Sequence, residues 1–463
     1  MRELIYQNRL FLTGFAITLV VISAYKGVGI LGAFALIALP FAAFSAVRAS
    51  IAFIILFILF SYFRLHEAFP VLMPFKIPKL LALASLLGIF WHLLISKQLK
   101  PHWHTCHVLF VILFLWLTVC VFMASNRSIA IEYWSGVLTK VFIMVFAISW
   151  WMTSVKHFAI VRIGIMLSGV AVALVAISNK ANGIGLVEGT RVTISRELRS
   201  QLGDPNDLSL VLMFPVSFLA AEVFDKRNNK SRRLLAAAGL FLVISGVIAT
   251  QSRGGLLGIA AVLSFFIYQR VKNPVIVATV GVLGMLMMVV FAGITDRQSG
   301  GAAEEGVDAS AMGRIYAWQA AINMALGNPL TGVGVNNFFA NYYFYSPHWD
   351  GKNHAVHSTW FQVLGETGFV GLLIFIMLIM GVFRSLARIE RLNALNQDKQ
   401  LITNSLALKA GMIGFMVSGT FLTQAFTWPL YIILSLTIAL EKLSSDKTRR
   451  KNVLSNEKMV KNQ

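Results

Sequence analysis

Acidic residues and cysteine are scarce in this chain. Of 463 residues only 20 are Asp or Glu, and two are cysteine, Cys106 and Cys120. Two cysteines exclude a disulfide framework and a four-cysteine zinc site. Charged residues of every kind make up 13% of the sequence, against about 25% in ordinary soluble domains. Hydrophobic residues make up 57%, more apolar surface than a soluble fold could cover, and disordered and collagen-like classes are excluded as well. The composition is that of an integral membrane protein. Other absences narrow the chemistry. There is no P-loop, and Gly332-Val333-Gly334 lacks the third glycine and the βαβ setting of a dinucleotide site.

What the chain has is apolar runs. A hydrocarbon core about 30 Å thick needs about 20 mostly apolar residues per helix. Candidate spans lie at 9–25, 28–47, 50–63, 79–96, 107–124, 137–153, 158–177, 208–224, 234–250, 255–269, 274–293, 366–384, 405–423 and 429–441. The third and last are short, so the expected fold is an all-α, polytopic membrane helical bundle with 12–14 transmembrane helices. The first is read as a span rather than a cleaved signal peptide, because no small-residue cleavage pattern follows it. Three regions are expected: N-terminal membrane helices over 1–180, a catalytic membrane domain over 181–441, and a basic tail over 442–463.

The 40 Lys and Arg exceed the acids by 20. In a soluble protein that surplus would suggest nucleic acid, but here it follows the positive-inside rule, so membrane lipids and not nucleic acid are the expected partner. Arg232, Arg233, Arg270, Lys272, Arg384, Arg388 and the tail mark the cytoplasmic side. The longest loops on the other side, 178–207 and 294–365, are expected to face the periplasm. Within the second, residues 299–313 are small and polar and read as a mobile stretch.

Polar residues at the outer ends of spans are the informative ones, because an arginine against a span needs a counter-charge or water. Arg253 stands in a tight turn, Gln251-Ser252-Arg253-Gly254-Gly255. A helix starting at about Gly254 would aim its N–H groups and positive dipole end where the guanidinium points, a pairing suited to phosphate. The glycines let the backbone approach closely; the competing reading is an arginine that only snorkels to the interface. A second basic group, Arg191, Arg196 and Arg199, precedes Asp204-Pro205-Asn206-Asp207. Glu188 and Glu197 leave open a solvated, salt-bridged loop, and Asp207 or Asn206 is the expected cap of the span from Leu208.

A third group runs from His357 to Gly368. If helical, it places His357, Phe361, Leu364 and Gly368 on one face, with Gly368 beneath His357 to admit a neighbouring helix or lipid chain. Glu366 falls on the opposite face. An imidazole, with a pKa of about 6.5, suits a general base, although a lone histidine also serves as a hydrogen-bonded structural residue. Two histidine clusters raise a metal, His102/His104/Cys106/His107 in a cytoplasmic linker and His354/His357 with Asp350. Neither is favoured, and no metal or cofactor is expected.

Arg253 with Leu257, and His357 followed after ten residues by Gly368, resemble the paired motifs of the bacterial O-antigen ligase superfamily, which includes polymerases and protein O-oligosaccharyltransferases. Gly313-Arg314-Ile315-Tyr316-Ala317-Trp318, Asn328-Pro329-Leu330-Thr331-Gly332-Val333-Gly334 and the Asp204–Asp207 element are similar to that family too. The resemblance covers about 190–440; before that only the succession of spans matches.

The resemblance implies a metal-independent, inverting transferase of a bacterial inner membrane with its active site facing the periplasm. It would move a glycan from undecaprenyl pyrophosphate to an acceptor hydroxyl on a lipid, protein or polysaccharide. His357 would take the acceptor proton and Arg253 hold the pyrophosphate; Arg191, Arg199 and Arg314 are further donor-binding candidates, and Gly254, Gly255 and Gly368 pack the site. Energetics point the same way, since nucleotide sugars are not supplied outside the membrane and a pyrophosphate leaving group needs cationic stabilisation. A polymerase using the same chemistry is the nearest alternative. A transporter of lipid-linked sugars is disfavoured because the polar groups gather at one face and no repeat is visible.

Overall fold

The computed structural model describes residues 18, 26–27, 29–198, 200–291, 309–396 and 398–461. The chain divides into two units, one of Met1–Phe57 with Lys79–Lys100, the other of Ile58–Pro78 with Pro101–Gln463. In chain order the main helices are α1 (Ile30–Arg48), α2 (Ser50–Phe63), α3 (Ile77–Ile95), α4 (Thr105–Phe122), α5 (Arg127–Trp151) and α6 (Val155–Ala181). After a two-stranded hairpin, β1 (Leu186–Val187) and β2 (Arg191–Val192), come α7 (Pro205–Phe224), α8 (Lys230–Thr250), α9 (Arg253–Val271) and α10 (Pro274–Phe291). The last are α11 (Ala309–Gly327), α12 (Phe338–Tyr345), α13 (Thr359–Asn396), α14 (Lys399–Gly419) and α15 (Trp428–Lys461).

The protein is all-α and polytopic. Among the described residues nine helices are long and apolar enough to cross a membrane, or ten if a bent pair counts as one span. The expected count of 12–14 is larger for identifiable reasons. The candidate at 9–25 lies, apart from Thr18, outside the described residues. The candidates at 28–47 and 50–63 become helices bent by 88° to each other, and the 14-residue α2 is only about 21 Å long, too short to span alone. The run at 429–441 is the apolar start of a 34-residue helix that continues through the basic tail.

In the first unit, α3 comes close to the bend after α1: a Cβ at Gly88 would lie 2.3 Å from Ser50 Oγ, and His92 Nε2 sits 3.0 Å from the Val47 carbonyl. The second unit is a bundle whose helices start where a polar residue precedes an apolar run. Ser154, Asp204, Asn229 and Asp398 each cap the following helix through a side-chain oxygen. Helix α7 is the most enclosed, wrapped by α6, α8, α9 and α14. Helix α13 packs on α4, α11, α14 and α15. Because α14 touches both α7 and α9 on one side and α13 and α15 on the other, it joins the half that carries Arg253 to the half that carries His357.

The long segment 294–365 contains its own small core. Ala317, Ala320, Ala321 and Met324 of α11 close on Phe338 and Tyr342 of α12 and on Val333 and Val356. Of the stretch expected to be mobile, 299–308 lies outside the described residues, whereas 309–313 form the first residues of α11.

Candidate functional site

Arg253 is the first residue of α9, one position before the expected helix start. The turn leading into it is built tightly. Gln251 takes a left-handed conformation, φ 50°, and its N–H caps the end of α8 on the Ile248 carbonyl. Ser252 Oγ accepts the Gly255 N–H at 3.2 Å, so one of the leading N–H groups of α9 is already satisfied from within the chain. The Arg253 side chain is exposed.

The two glycines that follow sit where helices cross. A Cβ at Gly255 would lie 2.5 Å from Ser209 Oγ of α7, and one at Gly254 would touch Phe421 and the Ser418 carbonyl at 3.4 and 3.6 Å. Ser418 Oγ donates to the Gly254 carbonyl at 2.9 Å. Close packing against α7 and α14 therefore sets where the Arg253 turn stands.

Arg191 is held within the protein. Its guanidinium is buried and donates to Asn206 Oδ1 at 2.8 Å and to the Thr250 carbonyl at 3.3 Å, with Glu188 at 3.7 Å. Asn206 Oδ1 also accepts from Ser252 Oγ at 2.9 Å. Arg191 thus links the end of α8 to the start of α7, next to the Arg253 turn, through these contacts. The cap of α7 is Asp204, whose Oδ1 accepts the Asn206 and Asp207 N–H groups; the expectation of Asn206 or Asp207 as cap is corrected. Arg199 lies outside the described residues.

His357 stands outside any helix, with φ 47°. A left-handed histidine is uncommon, and such backbone persists only where its surroundings hold it. Its N–H donates to Thr423 Oγ1 at 3.0 Å. The side chain reaches solvent, yet its pKa is pushed below the usual 6.5. Desolvation by the surrounding protein is the main cause, the positive charge of Arg314 the next, and Asp204 pulls the other way. His357 therefore feels the charges of both Arg314 and Asp204. Arg314 lies with its guanidinium 5.8 Å from the Phe421 ring centre, and Trp318, one turn on, stacks on Phe361 at 5.2 Å.

The expected single helix from His357 to Gly368 is not formed. Helix α13 begins at Thr359 and is broken at Gly368, whose φ of 69° and ψ of −171° are not helical. What Gly368 admits is neither a helix nor a lipid chain but the loop 328–334. A Cβ there would lie 2.3 Å from the Leu330 carbonyl oxygen and 2.5 Å from that of Pro329. The Phe369 N–H donates to Pro329 at 2.9 Å and the Val333 N–H to Gly365 at 2.9 Å. Glu366 is buried and accepts the Phe338 N–H that opens α12.

The residues missed in the sequence are those between α14 and α15. The expected span 405–423 ends at Gly419, and 420–427 becomes a platform for both halves. Thr420 accepts from Trp360 Nε1, the Leu422 carbonyl from Thr359 Oγ1, and Thr423 from His357. Gln362 Oε1 accepts the Ala425 N–H. Gln424 Nε2 donates to Asp207 Oδ1 at 2.7 Å. Phe421 meets both Gly254 and Arg314. The turn of Arg253, the helix of Arg314 and the backbone of His357 are all held by this one segment. The signal was there in Thr420, Thr423, Gln424 and Thr427, polar residues interrupting an apolar run.

One histidine cluster is paired within itself and the other with residues outside it. His354 pairs with Asp350 at 2.9 Å, His104 with Glu441 at 2.7 Å and His107 with Ser149 at 2.8 Å. Among the described residues no three His, Cys, Asp or Glu side chains gather as metal ligands.

Residues 238–376 match the family model for O-antigen ligase. That interval includes Arg253, Arg314, His357 and Gly368, and leaves out Arg191 and Asp204. No curated protein matches the chain. The likeness is confined to that segment, and the helices are those of a multi-pass membrane protein.

Proposed function

We propose that this chain, with its O-antigen ligase match over residues 238–376, transfers a glycan from undecaprenyl pyrophosphate to an acceptor hydroxyl at the periplasmic face of a bacterial inner membrane. The observation that carries the reading is the 420–427 segment, which holds the Arg253 turn, Arg314 and His357 at one end of the bundle. The imidazole of His357 removes the acceptor proton as the acceptor oxygen attacks the anomeric carbon. The bond from that carbon to the pyrophosphate oxygen breaks, the anomeric centre inverts, and undecaprenyl pyrophosphate leaves with its oxygen. Arg253 and Arg314 meet the negative charge that grows on the leaving group. Arg191 acts at one remove by fixing the turn on which Arg253 stands.

The test is transfer by the purified full chain in detergent, given an undecaprenyl-pyrophosphate glycan and an acceptor. Product formed without sealed vesicles is expected, at an unchanged rate after EDTA. Activity lost to EDTA and restored by a divalent ion would overturn the metal-independent scheme.

The lowered pKa of His357 has a kinetic consequence. A base works when neutral, so a lowered pKa keeps it competent at pH values where a free histidine is protonated. The acidic limb of kcat/KM should fall below pH 6.5. Arg314→Gln removes a positive neighbour and should move that limb upward; a limb that stays in place would separate the two residues.

A further inference from the structure

The end of the bundle remote from His357 carries a cavity that the transfer reaction does not use. It holds about 300 Å³. Its walls are apolar, with Phe224 and Phe266 stacked at 5.7 Å and 6° and Ala221 and Leu406 beside them. Its rim is basic, formed by Lys226 and Arg227 of the α7–α8 turn and Arg270 near the end of α9.

The one carboxylate on that rim is already neutralised. Asp225 receives Arg227 Nε and Nη2, each at 2.6 Å, and Thr403 Oγ1 at 2.8 Å. Against the desolvation of partial burial, these bonds hold its pKa down to about 2. Arg270 reaches the Phe224 carbonyl at the end of α7. Lys226 is exposed and forms no hydrogen bond or ion pair among the described residues. A smaller cavity of about 100 Å³ shares Asp225, Arg227 and Thr403 and adds Arg162, Arg232 and Lys399 around Glu222. Six cationic side chains thus surround two carboxylates.

A basic rim alone would suit any soluble anion, but its junction with stacked aromatic walls suits a molecule that is charged at one end and apolar at the other. We propose that this cavity binds the phosphate headgroup of an anionic phospholipid, in the leaflet opposite the His357 end. Lys226 and Arg270 contact the phosphate, and Phe224 and Phe266 lie along the glycerol and upper acyl region. The inference rests on the chain being membrane-spanning and is independent of the reaction at His357.

The experiment is native mass spectrometry of the purified full chain in detergent, titrated with phosphatidylglycerol, with phosphatidylcholine and with inorganic phosphate. One phosphatidylglycerol should be retained saturably and phosphatidylcholine should not. At roughly fivefold per cationic contact, Lys226→Gln should weaken retention about fivefold and the double variant with Arg270→Gln about 25-fold. Arg449→Gln, in the exposed tail, should leave it unchanged. If Arg270→Gln loosens the fold through the lost Phe224 contact, shown by a lowered melting temperature, Lys226→Gln decides alone. Unchanged retention in Lys226→Gln, or equal loss in Arg449→Gln, overturns the site. Displacement of the lipid by millimolar inorganic phosphate overturns the lipid in favour of a soluble anion.

Discussion

His357→Ala should lower glycan transfer by about 10²–10⁴-fold, the usual worth of a positioned general base, while the protein still inserts and folds. The structure makes this a clean substitution. The contact that seats residue 357 is made by its backbone N–H to Thr423 Oγ1, so alanine keeps that hydrogen bond and loses only the imidazole. Alanine at a φ of 47° carries a strain of about 1–3 kcal/mol, which His357→Asn, more tolerant of that region, would largely avoid. If both variants lose transfer alike, the imidazole is the cause; if asparagine retains it, the backbone was. Arg253→Ala should cost about 10²–10³-fold, as for a lost transition-state donor, and Arg253→Lys should recover only part, since an ammonium cannot pair bidentately with phosphate oxygens. Full transfer by a correctly inserted His357→Ala protein would remove the histidine from the mechanism.

Gly368→Ala should damage the site without touching a reacting group. Its backbone lies where essentially only glycine is comfortable, and the new Cβ would meet carbonyl oxygens at 2.3 and 2.5 Å. Strain and overpacking together cost about 2–6 kcal/mol, a large share of the roughly 5–15 kcal/mol by which domains are stable. Relief comes most cheaply by undocking the 328–334 loop from α13, to which two backbone hydrogen bonds hold it, Phe369 to Pro329 and Val333 to Gly365; a third ties it to Ser125. Helix α11 would move with the loop, carrying Arg314 and Trp318. The expected result is strong loss of transfer together with faster proteolysis within 309–345. Gly284→Ala, in a helix where a Cβ meets nothing within 4 Å, should change neither. Equal protease resistance in Gly368→Ala and the parent would show that the loop does not depend on this glycine.

The difference between Arg253 and Arg191 shows what could be read from the residues. Both are arginines close to glutamates or glycines at span ends, and both suit an anion by residue type. Only the fold tells them apart: Arg191 is buried against Asn206 and Thr250, whereas Arg253 is exposed. The helical face drawn through His357 and Gly368 failed for a related reason. Period 3.6 assumes unbroken backbone, and a glycine at the break has no side chain to announce it.

Membrane residence and the all-α bundle followed from sequence alone, since apolar content and run length are local properties that a bilayer reads directly. The notice given to Arg253 and His357 followed likewise, because polar groups at the ends of apolar runs are local anomalies. Tertiary structure alone decided which of them share a platform. His357 is seated by Thr423, 66 residues away, and Asp207 is tied to Gln424, 217 residues away. Such pairings arise when helices pack, and no spacing along the chain encodes them.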